Sequence, residues 1–466
     1  MTKITFMGAG STVFAKNILG DCMLTPALQD AQIALYDIDG KRLAESKLVI
    51  DALNANINKG RANVSAHLGV PQRKAALAGA DFVVNAIQVG GYKPSTVIDF
   101  KIPNRYGLRQ TIADTLGIGG IFRALRTIPV VLDFARDIEQ VCPAAWFLNY
   151  SNPMAMITGA LLHGSRVRTV GLCHSVQGCA HSLLWELGLD AKVKNLKWHI
   201  AGINHMAWLL EVKDGRRDLY PEIKRRAAAA IKSAGHKGFE ELWQRGLKRG
   251  KGYFWGDYRN AAERDLVRLD MLLRFGYYVT ESSEHNAEYL PYFIKRAYPE
   301  LIDYYNIPLD EYLRRCVHQI KGWKHLSKTL LKDKNLMHHR TVEFGAPIMA
   351  AIATGTPIRV HGNVVNHGLI PNLPPKAIVE VPCLIDQNGV QGCYVGDLPE
   401  QCAALNRTNI NPHLLAIEAA LTRKKDCIYQ AAMLDPHTAA ELSLDHIRHL
   451  CDDLIKAHGT MLPKFT

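Results

Sequence analysis

The chain has 466 residues, of which 48% are hydrophobic and 21% are charged, and its formal net charge is +12 at pH 7. This length exceeds one compact core and predicts two domains, while the composition excludes a disordered or fibrous protein. No apolar run approaches the roughly 20 residues that cross a bilayer, and the amino terminus lacks the apolar stretch and cleavage site of a secretory signal. We therefore expect no membrane association.

Ten cysteines are scattered along the chain without a CxxC pair. This pattern predicts reduced thiols and a cytoplasmic location. Lysine and arginine are also spread out, with only short basic clusters such as residues 224–226 and 423–425. Because no nucleic-acid motif accompanies them, we expect a solvated basic surface that draws in anionic ligands, and no nucleic-acid partner.

The first 200 residues alternate strand and helix patterns. Strands are predicted at residues 3–8, 32–36, 81–89, 145–148 and 169–172, and helices at residues 12–22, 42–54 and 121–141. Repeated units of this kind predict an α/β fold with a Rossmann-like, doubly wound parallel sheet and helices on both faces. Such sheets bind ligands at the carboxyl ends of their strands.

The pattern changes near residue 196. Residues 199–212 look like a strand, and residues 357–393, rich in Val, Ile, Pro and Gly, predict a small, partly antiparallel sheet. Helices are predicted at residues 221–233, 261–274, 413–423, 428–433 and 439–457. We therefore predict a Rossmann-like domain over residues 1–195 and a mixed α+β domain over residues 196–466.

A glycine turn between the first strand and the first helix predicts a dinucleotide site. Gly8 and Gly10 allow a sharp turn and a close approach of the backbone to a pyrophosphate, and Ser11 precedes the positive end of the helix. Asp37 ends the second strand, where a carboxylate accepts both ribose hydroxyls of NAD. Because Val13 replaces the third glycine of the usual fingerprint, a plain turn with a helix-capping serine is the alternative.

Polar side chains follow the later predicted strands. Gln88 is expected beside the same cofactor, and the amides of Asn149 and Asn152 are placed to hold substrate hydroxyls, with an Asn-Pro turn as the alternative. Cys173 and His205 end two further strands, where a thiolate and an imidazole could hold one metal ion. The alternatives are a buried small hydrophobe and a structural histidine, and ligand softness favours Zn or Fe.

Four short segments resemble glycoside hydrolase family 4 in order and spacing. They are Gly-Ala-Gly-Ser at 8–11, Asn-Pro at 152–153, Gly-Leu-Cys-His at 171–174 and Gly-Ile-Asn-His at 202–205. The α-galactosidase (melibiase) branch is the most similar, on the segments at 110–115, 173–178 and 281–285. The resemblance implies an overall architecture like that of lactate and malate dehydrogenases, with NAD bound by residues 1–195, and substrate, metal and oligomer contacts in residues 196–466.

The resemblance also implies an activity. In this family NAD⁺ oxidises C3 of the sugar, the aglycone is eliminated from C1 after loss of the C2 proton, water adds, and NADH returns the hydride, with one Mn²⁺ per subunit. The implied reaction is hydrolysis of α-galactosides such as melibiose by a homodimer or homotetramer. The same mechanism on an α-glucoside, α-galacturonide or α-glucuronide is one alternative, and a simple NAD-dependent sugar or hydroxy-acid dehydrogenase is another.

Roles for several residues are implied by their matching positions. Cys173 and His205 match the metal ligands of the family, and Asn152 matches a contact to a substrate hydroxyl. His174 matches the position of the acid that protonates the leaving group, where the phospho-sugar branches carry Asp or Asn, which favours an unphosphorylated sugar. Asp114 matches a carboxylate that binds substrate or supports the base, and its alternative role is a helix cap.

The base that takes the C2 proton is not fixed by the sequence. Relatives use a Tyr or Asp shortly after a Phe/Tyr-Gly pair, here at 275–276, and a direct count places Ser282 there. Nearby alternatives are Glu281, Glu284, His285 and Tyr289. A carboxylate or histidine can act near neutral pH if its surroundings tune its pKa, while a surface ion pair of Glu284 with His285 is the alternative for these two.

Overall fold

The fold is taken from a computed structural model, and the structure describes residues 1–234, 236 and 261–466. The described strands form one sheet of 13 strands. They are β1 Lys3–Met7, β2 Gln32–Asp37, β3 Asn63–Leu68, β4 Phe82–Asn85, β5 Trp146–Asn149, β6 Arg168–Gly171, β7 Leu196–Ile203, β8 Met206–Asp214, β9 Arg217–Asp218, β10 Tyr278–Val279, β11 Ile358–Val365, β12 Ile378–Asp386 and β13 Gly389–Gly392. Its main path is β10-β8-β7-β12-β11-β6-β5-β4-β1-β2-β3.

The amino-terminal half of the sheet is parallel, which confirms the predicted Rossmann-like arrangement. Strands β3, β2, β1, β4, β5 and β6 pair in parallel. The helices around them are α1 Thr12–Met23, α2 Gly40–Asn58, α3 Gly69–Leu77, α4 Val97–Arg105, α5 Gly117–Val141, α6 Met154–Gly164 and α7 Ser175–Glu186. β3 was not predicted, because this edge strand has no buried residue and lacks an apolar pattern.

The predicted strand at 199–212 is wrong as a single element. The structure divides it into β7 and β8, an antiparallel hairpin that turns at Asn204 and His205. The turn has no Gly or Pro to mark it, and His205 itself adopts the left-handed region with φ 64°. Both flanking strands are apolar, so the hydrophobic pattern continues across the turn and predicts one strand.

The small, partly antiparallel sheet predicted at 357–393 is formed by β11, β12 and β13, but it is part of the main sheet. They are antiparallel to one another, but β11 also pairs with β6 and β12 with β7. The carboxyl-terminal strands therefore extend the parallel sheet, and the ends of β6 and β7 are brought to one region of it.

Some helices of the second half match predicted ones with shifted ends, and the helix predicted at 261–274 is divided in two, whereas the helices between residues 283 and 354 were not predicted. The helices of this half are α8 Tyr220–Ser233, α9 Ala261–Arg264, α10 Leu266–Phe275, α11 Ser283–Tyr289, α12 Glu300–Tyr304, α13 Glu311–Leu330, α14 Gly345–Thr354, α15 Glu400–Thr422, α16 Lys425–Leu434, α17 Pro436–Glu441 and α18 Leu444–His458. The helix predicted at 439–457 is two helices, because Ser443 caps a new start by accepting from the backbone N–H of His446. No helix in the described part of the chain combines the length and apolarity needed to cross a bilayer.

The core joins the two halves of the chain. One buried cluster contains Phe6 and Leu148 from the parallel strands together with Trp208 and Val379 from the later ones. Helix α15 packs on both α5 and α6. This shared core holds the strand ends that carry the candidate site in a fixed relation.

Candidate active site

The glycine turn after β1 has the geometry of a nucleotide loop. A Cβ on Gly8 would lie 2.8 Å from the carbonyl oxygen of Ala86, and one on Gly10 would lie 2.7 Å from Asp37 Oδ2, so neither position accepts a larger residue. The backbone N–H of Gly10 donates to Asp37 Oδ2 at 2.6 Å. The structure thus brings the predicted glycines and the acidic strand end together at the start of α1.

Ser11 and Gln88 are the other two residues predicted to contact the cofactor. Ser11 occupies the N-cap of α1 but makes no side-chain capping hydrogen bond, so the alternative of a capping serine is wrong. Its hydroxyl is therefore not used to complete the helix. Gln88 follows β4 and is exposed, and its predicted place beside the cofactor stays a prediction.

Three candidate metal ligands converge from distant parts of the chain. One ligand atom from each of Cys173, His205 and Glu281 lies within 4.8 Å of the others. Cys173 follows β6, His205 sits in the β7–β8 turn, and Glu281 precedes α11. Glu281 is one of the bases predicted from the sequence, whereas the structure places its carboxylate among the ligand atoms.

The charges around His205 favour a cation at this point. Burial lowers the pKa of His205, but Glu281, Cys173 and Asp114 raise it more, to about 10. His205 is 3% exposed, and its Nδ1 lies 3.1 Å from the hydroxyl of Tyr289, which leaves Nε2 toward Glu281 Oε2 at 3.8 Å. A divalent ion would satisfy the same negative groups, because thiolate, imidazole and carboxylate are all metal ligands.

Ser282, His285 and Asp114 form a connected polar group next to these ligands. Ser282 Oγ lies 2.7 Å from His285 Nδ1, and His285 Nε2 lies 3.7 Å from Asp114 Oδ1. His285 Nδ1 is also 3.3 Å from Glu281 Oε1. Burial lowers the pKa of His285, but Glu281 and Asp114 raise it above its ordinary value. The predicted base position therefore has a histidine directly behind it.

Asp114 does not act as a helix cap. Helix α5 begins at Gly117 with Leu116 at its N-cap, and Asp114 instead accepts from Thr115 Oγ1 at 2.8 Å. Burial raises the pKa of the Asp114 carboxyl, but His285 and Arg123 lower it more, so it stays below its ordinary value. The structure places this carboxylate beside the candidate base, as one of its two predicted roles requires.

Glu284 and Tyr289, the remaining candidates for the base, are held by other contacts. Glu284 and His285 are both buried, and Glu284 pairs with Arg315 at 2.8 Å, so the surface ion pair is wrong. Tyr289 is fully buried behind His205. Glu288 accepts three backbone N–H groups of residues 111–113 and so fixes the segment that carries Asp114.

His174 has a partner that the sequence did not reveal. Its Nε2 lies 2.7 Å from Oε1 of Glu343, a side chain only 8% exposed and 169 residues away in sequence. The hydrogen bond to Glu343 raises the pKa of His174, although burial opposes this. No local signal points to Glu343, because the pairing is created only by the tertiary fold.

The two asparagines at the end of β5 differ in their surroundings. Asn149 is fully buried; its Oδ1 accepts from Asn85 Nδ2 at 2.9 Å and its Nδ2 donates to Thr158 Oγ1 at 3.2 Å. This favours a structural role for Asn149 over the predicted contact with substrate. Asn152 Oδ1 is buried without a hydrogen-bond partner among the described residues, as expected of an acceptor that binds a ligand.

Fold and site together define a nucleotide-binding α/β enzyme with a candidate metal centre at the carboxyl edge of its sheet. A family model described as "Family 4 glycosyl hydrolase" matches residues 3–189, and one described as its C-terminal domain matches residues 200–438. The chain belongs to this family.

Individual relatives cover the whole chain. It is 56% identical over 465 residues to an alpha-galactosidase of Bacillus subtilis (strain 168), with 100% of each chain covered. It is 33% identical to an alpha-galactosidase of Rhizobium meliloti (strain 1021), with 99% of this chain and 89% of the relative covered. A solved 6-phospho-alpha-glucosidase from gut microorganisms, in complex with NAD and Mn²⁺, superposes with a TM-score of 0.77 at 20% identity over 100% of both chains, which supports the fold.

Proposed function

We propose that the chain is an NAD- and Mn²⁺-dependent α-galactosidase that hydrolyses α-galactosides such as melibiose. The observation that carries the proposal is the full-length likeness to the Bacillus subtilis alpha-galactosidase at 56% identity. The site is consistent with it, because a nucleotide turn and a metal-ligand cluster occur on one sheet edge, whereas the usual glycosidase needs only two opposed carboxylates.

The residues fit both groups. The turn leaves no space for a side chain at Gly8, next to the carbonyl of Ala86, or at Gly10, next to Asp37, as close approach of the backbone to a pyrophosphate requires. Cys173, His205 and Glu281 supply one sulfur, one nitrogen and one oxygen ligand. The oxygen of Glu281 makes this set better suited to Mn²⁺ than the thiolate and imidazole alone, because carboxylates suit harder ions.

The chain's own residues would orient the substrate and move protons. When bound, NAD⁺ accepts and returns a hydride and Mn²⁺ acts as a Lewis acid. Asn152 offers its free Oδ1 to a sugar hydroxyl. His174 donates the proton that the leaving oxygen needs, because it follows Cys173 directly and its side chain is 54% exposed.

Ser282, His285 and Asp114 are proposed to accept the C2 proton as a unit. A serine hydroxyl alone is a poor base, but Ser282 Oγ lies at hydrogen-bond distance from His285 Nδ1. The Asp114 carboxylate near Nε2 stabilises the imidazolium that forms. Ser282 is half-buried while His285 is buried, so Ser282 is the member nearer to the open side of the site.

The test is an assay with nitrophenyl α-galactoside, α-glucoside and α-galacturonide, with and without NAD⁺, Mn²⁺ and a thiol reductant. We expect cleavage of the galactoside only when all three are supplied, and no net NADH. Stoichiometric NADH would identify a dehydrogenase. In D₂O, deuterium should appear at C2 of the released galactose, and full retention of hydrogen there would contradict the mechanism.

Location and assembly are part of the proposal. All ten cysteines are free, which supports a reducing, cytoplasmic environment. A homodimer or homotetramer is proposed from the family resemblance, and light scattering of the purified protein measures its mass.

A further inference from the structure

The carboxylate of Glu343 holds one edge of the His174 ring. Glu343 Oε1 and His174 Nε2 are 2.7 Å apart, and Glu343 is nine-tenths buried while the His174 side chain is 54% exposed. The second oxygen, Oε2, is also buried and has no hydrogen-bond partner within the described part of the chain. One edge of the imidazole is thus fixed inside the protein, and the other edge, with Nδ1, is the one left for a ligand.

Aromatic side chains restrict the plane of the same ring. Phe14 lies edge-on to His174 with ring centroids 6.3 Å apart, and Tyr150 lies 6.2 Å away at a tilt. Phe14 and Tyr150 also pack on each other at 4.9 Å. Phe14 belongs to α1, just after the nucleotide turn. The His174 ring is therefore held against the helix that begins at the cofactor site.

The segment that carries Glu343 is anchored on that same helix. Asp21, 1% exposed in α1, accepts from the backbone N–H of Thr341 at 2.9 Å and from its hydroxyl, and it lies 2.8 Å from Nε2 of His338. The Thr341 hydroxyl in turn accepts from the backbone N–H of Glu343 at 3.2 Å. A buried carboxylate therefore fixes the backbone that aims Glu343 at His174.

We propose that Glu343 is the positioning residue for His174 and directs Nδ1 at the glycosidic oxygen. The inference rests on the proposed function. With Nε2–H donating to Glu343, the Nδ1–H bond of the imidazolium breaks, a proton passes to the departing oxygen, and the C1–O bond opens. The imidazole regains its proton from the water that adds at C1. Protonation of this kind matters for sugar and alkyl leaving groups, which are poor anions, and little for nitrophenolate.

The experiment compares two substrates on E343A and E343Q, each loaded with NAD⁺ and Mn²⁺. For E343A we expect kcat on melibiose to fall about 100-fold and kcat on nitrophenyl α-galactoside to change less than about 3-fold, with KM little affected. E343Q keeps an oxygen that accepts from Nε2, so its kcat on melibiose should be about 10-fold higher than that of E343A. V342A, on an adjacent side chain that is 78% exposed, is the matched control.

A double-mutant cycle completes the test. H174A should show the same leaving-group selectivity, and E343A added to H174A should cost nothing more, because both act through one proton transfer. Equal losses on both substrates, an effect confined to KM, or additive losses would overturn the assignment. Wild-type protein that cleaves neither galactoside would instead refute the proposed function, and CD spectra establish that each variant is folded.

Discussion

Glu281 and Ser282 are neighbours in sequence and both lie near Nδ1 of His285, yet only Glu281 is placed among the candidate metal ligands. Glu281 adopts φ 69°, an uncommon conformation for a residue with a side chain. That conformation accompanies a carboxylate placed with Cys173 and His205, while Ser282 contacts His285. Two adjacent residues are thus assigned different roles, Glu281 as a metal ligand and Ser282 as part of the proton acceptor.

This separation predicts different failures for two adjacent substitutions. E281Q should weaken Mn²⁺ binding by at least about 10-fold, because a neutral amide replaces a ligating carboxylate. S282A should leave Mn²⁺ affinity within about 2-fold and lower kcat about 100-fold, since only the proton acceptor is lost. Calorimetric titration with MnCl₂ and the galactoside assay measure the two effects. Equal loss of affinity in both variants would contradict the assignment.

How far the sequence predicts the site depends on how local each signal is. Gly8, Gly10 and Asp37 are recognisable because one strand–turn–helix unit and the strand after it set their geometry. Cys173 and His205 each end a strand, and the sheet brings these ends together. Glu281 was predicted only as a candidate base, from its place after the Phe-Gly pair, and its position among the ligand atoms depends on the tertiary fold. Glu343 had no signal, because it meets His174 across 169 residues of sequence.

At the scale of elements, a buried ion pair joins three helices near the nucleotide site. Asp99 of α4 accepts from both terminal nitrogens of Arg126 of α5, at 2.6 and 3.1 Å, and lies 2.9 Å from Nε2 of His458 at the end of α18. Arg126 Nε also donates to the carbonyl of Val89 at 3.2 Å, in the loop after β4. The carboxyl-terminal helix is thereby connected to that loop.

We expect D99N to lower the free energy of unfolding by about 3–5 kcal/mol, because it leaves the Arg126 cation buried without its counter-charge. Urea unfolding followed by CD gives this value. The control is D51N: the Asp51 side chain is 44% exposed and pairs with Lys47 across one helical turn, so its loss should cost less than about 1 kcal/mol. A D99N effect as small as that of D51N would show that the buried pair is not stabilising.

A second buried carboxylate lies where the two halves of the sheet meet. Glu380 of β12 is opposite Gly202 of β7, is 1% exposed, and accepts from the amide of Asn363 at 3.0 Å. Burial raises the pKa of Glu380 to about 7, while His205, Asn363 and Asn204 lower it by less. Between the ordinary pKa of a glutamate and about pH 7, Glu380 therefore keeps its proton in the folded protein and has lost it in the unfolded chain.

This retained proton predicts a pH dependence of stability. Because the folded pKa is raised, the contribution of Glu380 is complete at acidic pH and is lost as the pH rises through about 7. The free energy of unfolding of the wild type should fall between pH 5 and 8. In EDTA and without nucleotide, this fall should be about 2–3 kcal/mol smaller in E380Q. E418Q, at an exposed position, is the control. Parallel pH profiles of E380Q and wild type would disprove the account.

The elements that the sequence predicted well are those with a buried, regular apolar pattern. The strands β1, β2, β5 and β6 and the helix α5 fall within a few residues of their predicted bounds. The failures have different origins: β3 is exposed at a sheet edge and lacks an apolar pattern, whereas the β7–β8 turn lies between two apolar strands and has no Gly or Pro. Pairing of β11 with β6 depends on contacts far apart in sequence, which no local pattern encodes.

For the whole molecule, the division at residue 195 stays a prediction, and the packing indicates how independent the parts are. Gly159 of α6 sits so close to the second half that an added Cβ would lie 2.6 Å from Ile417 and 3.0 Å from Ile378. β6 would lose its neighbour β11 if the chain were cut there. A fragment of residues 1–195 would expose both an apolar helix face and a strand edge.

We therefore expect the full chain to unfold in a single urea transition, and the fragment 1–195 not to fold alone. Hydrogen exchange followed by mass spectrometry should give the same opening free energy for peptides covering β4–β5 and β11–β12. NAD⁺ at 100 times its Kd should raise both opening free energies by about 2.7 kcal/mol, although its predicted contacts lie in the first half, because ligand binding stabilises the whole cooperative unit. If NAD⁺ protected the β4–β5 peptides alone, the halves would be separate folding units and the shared core would not couple them.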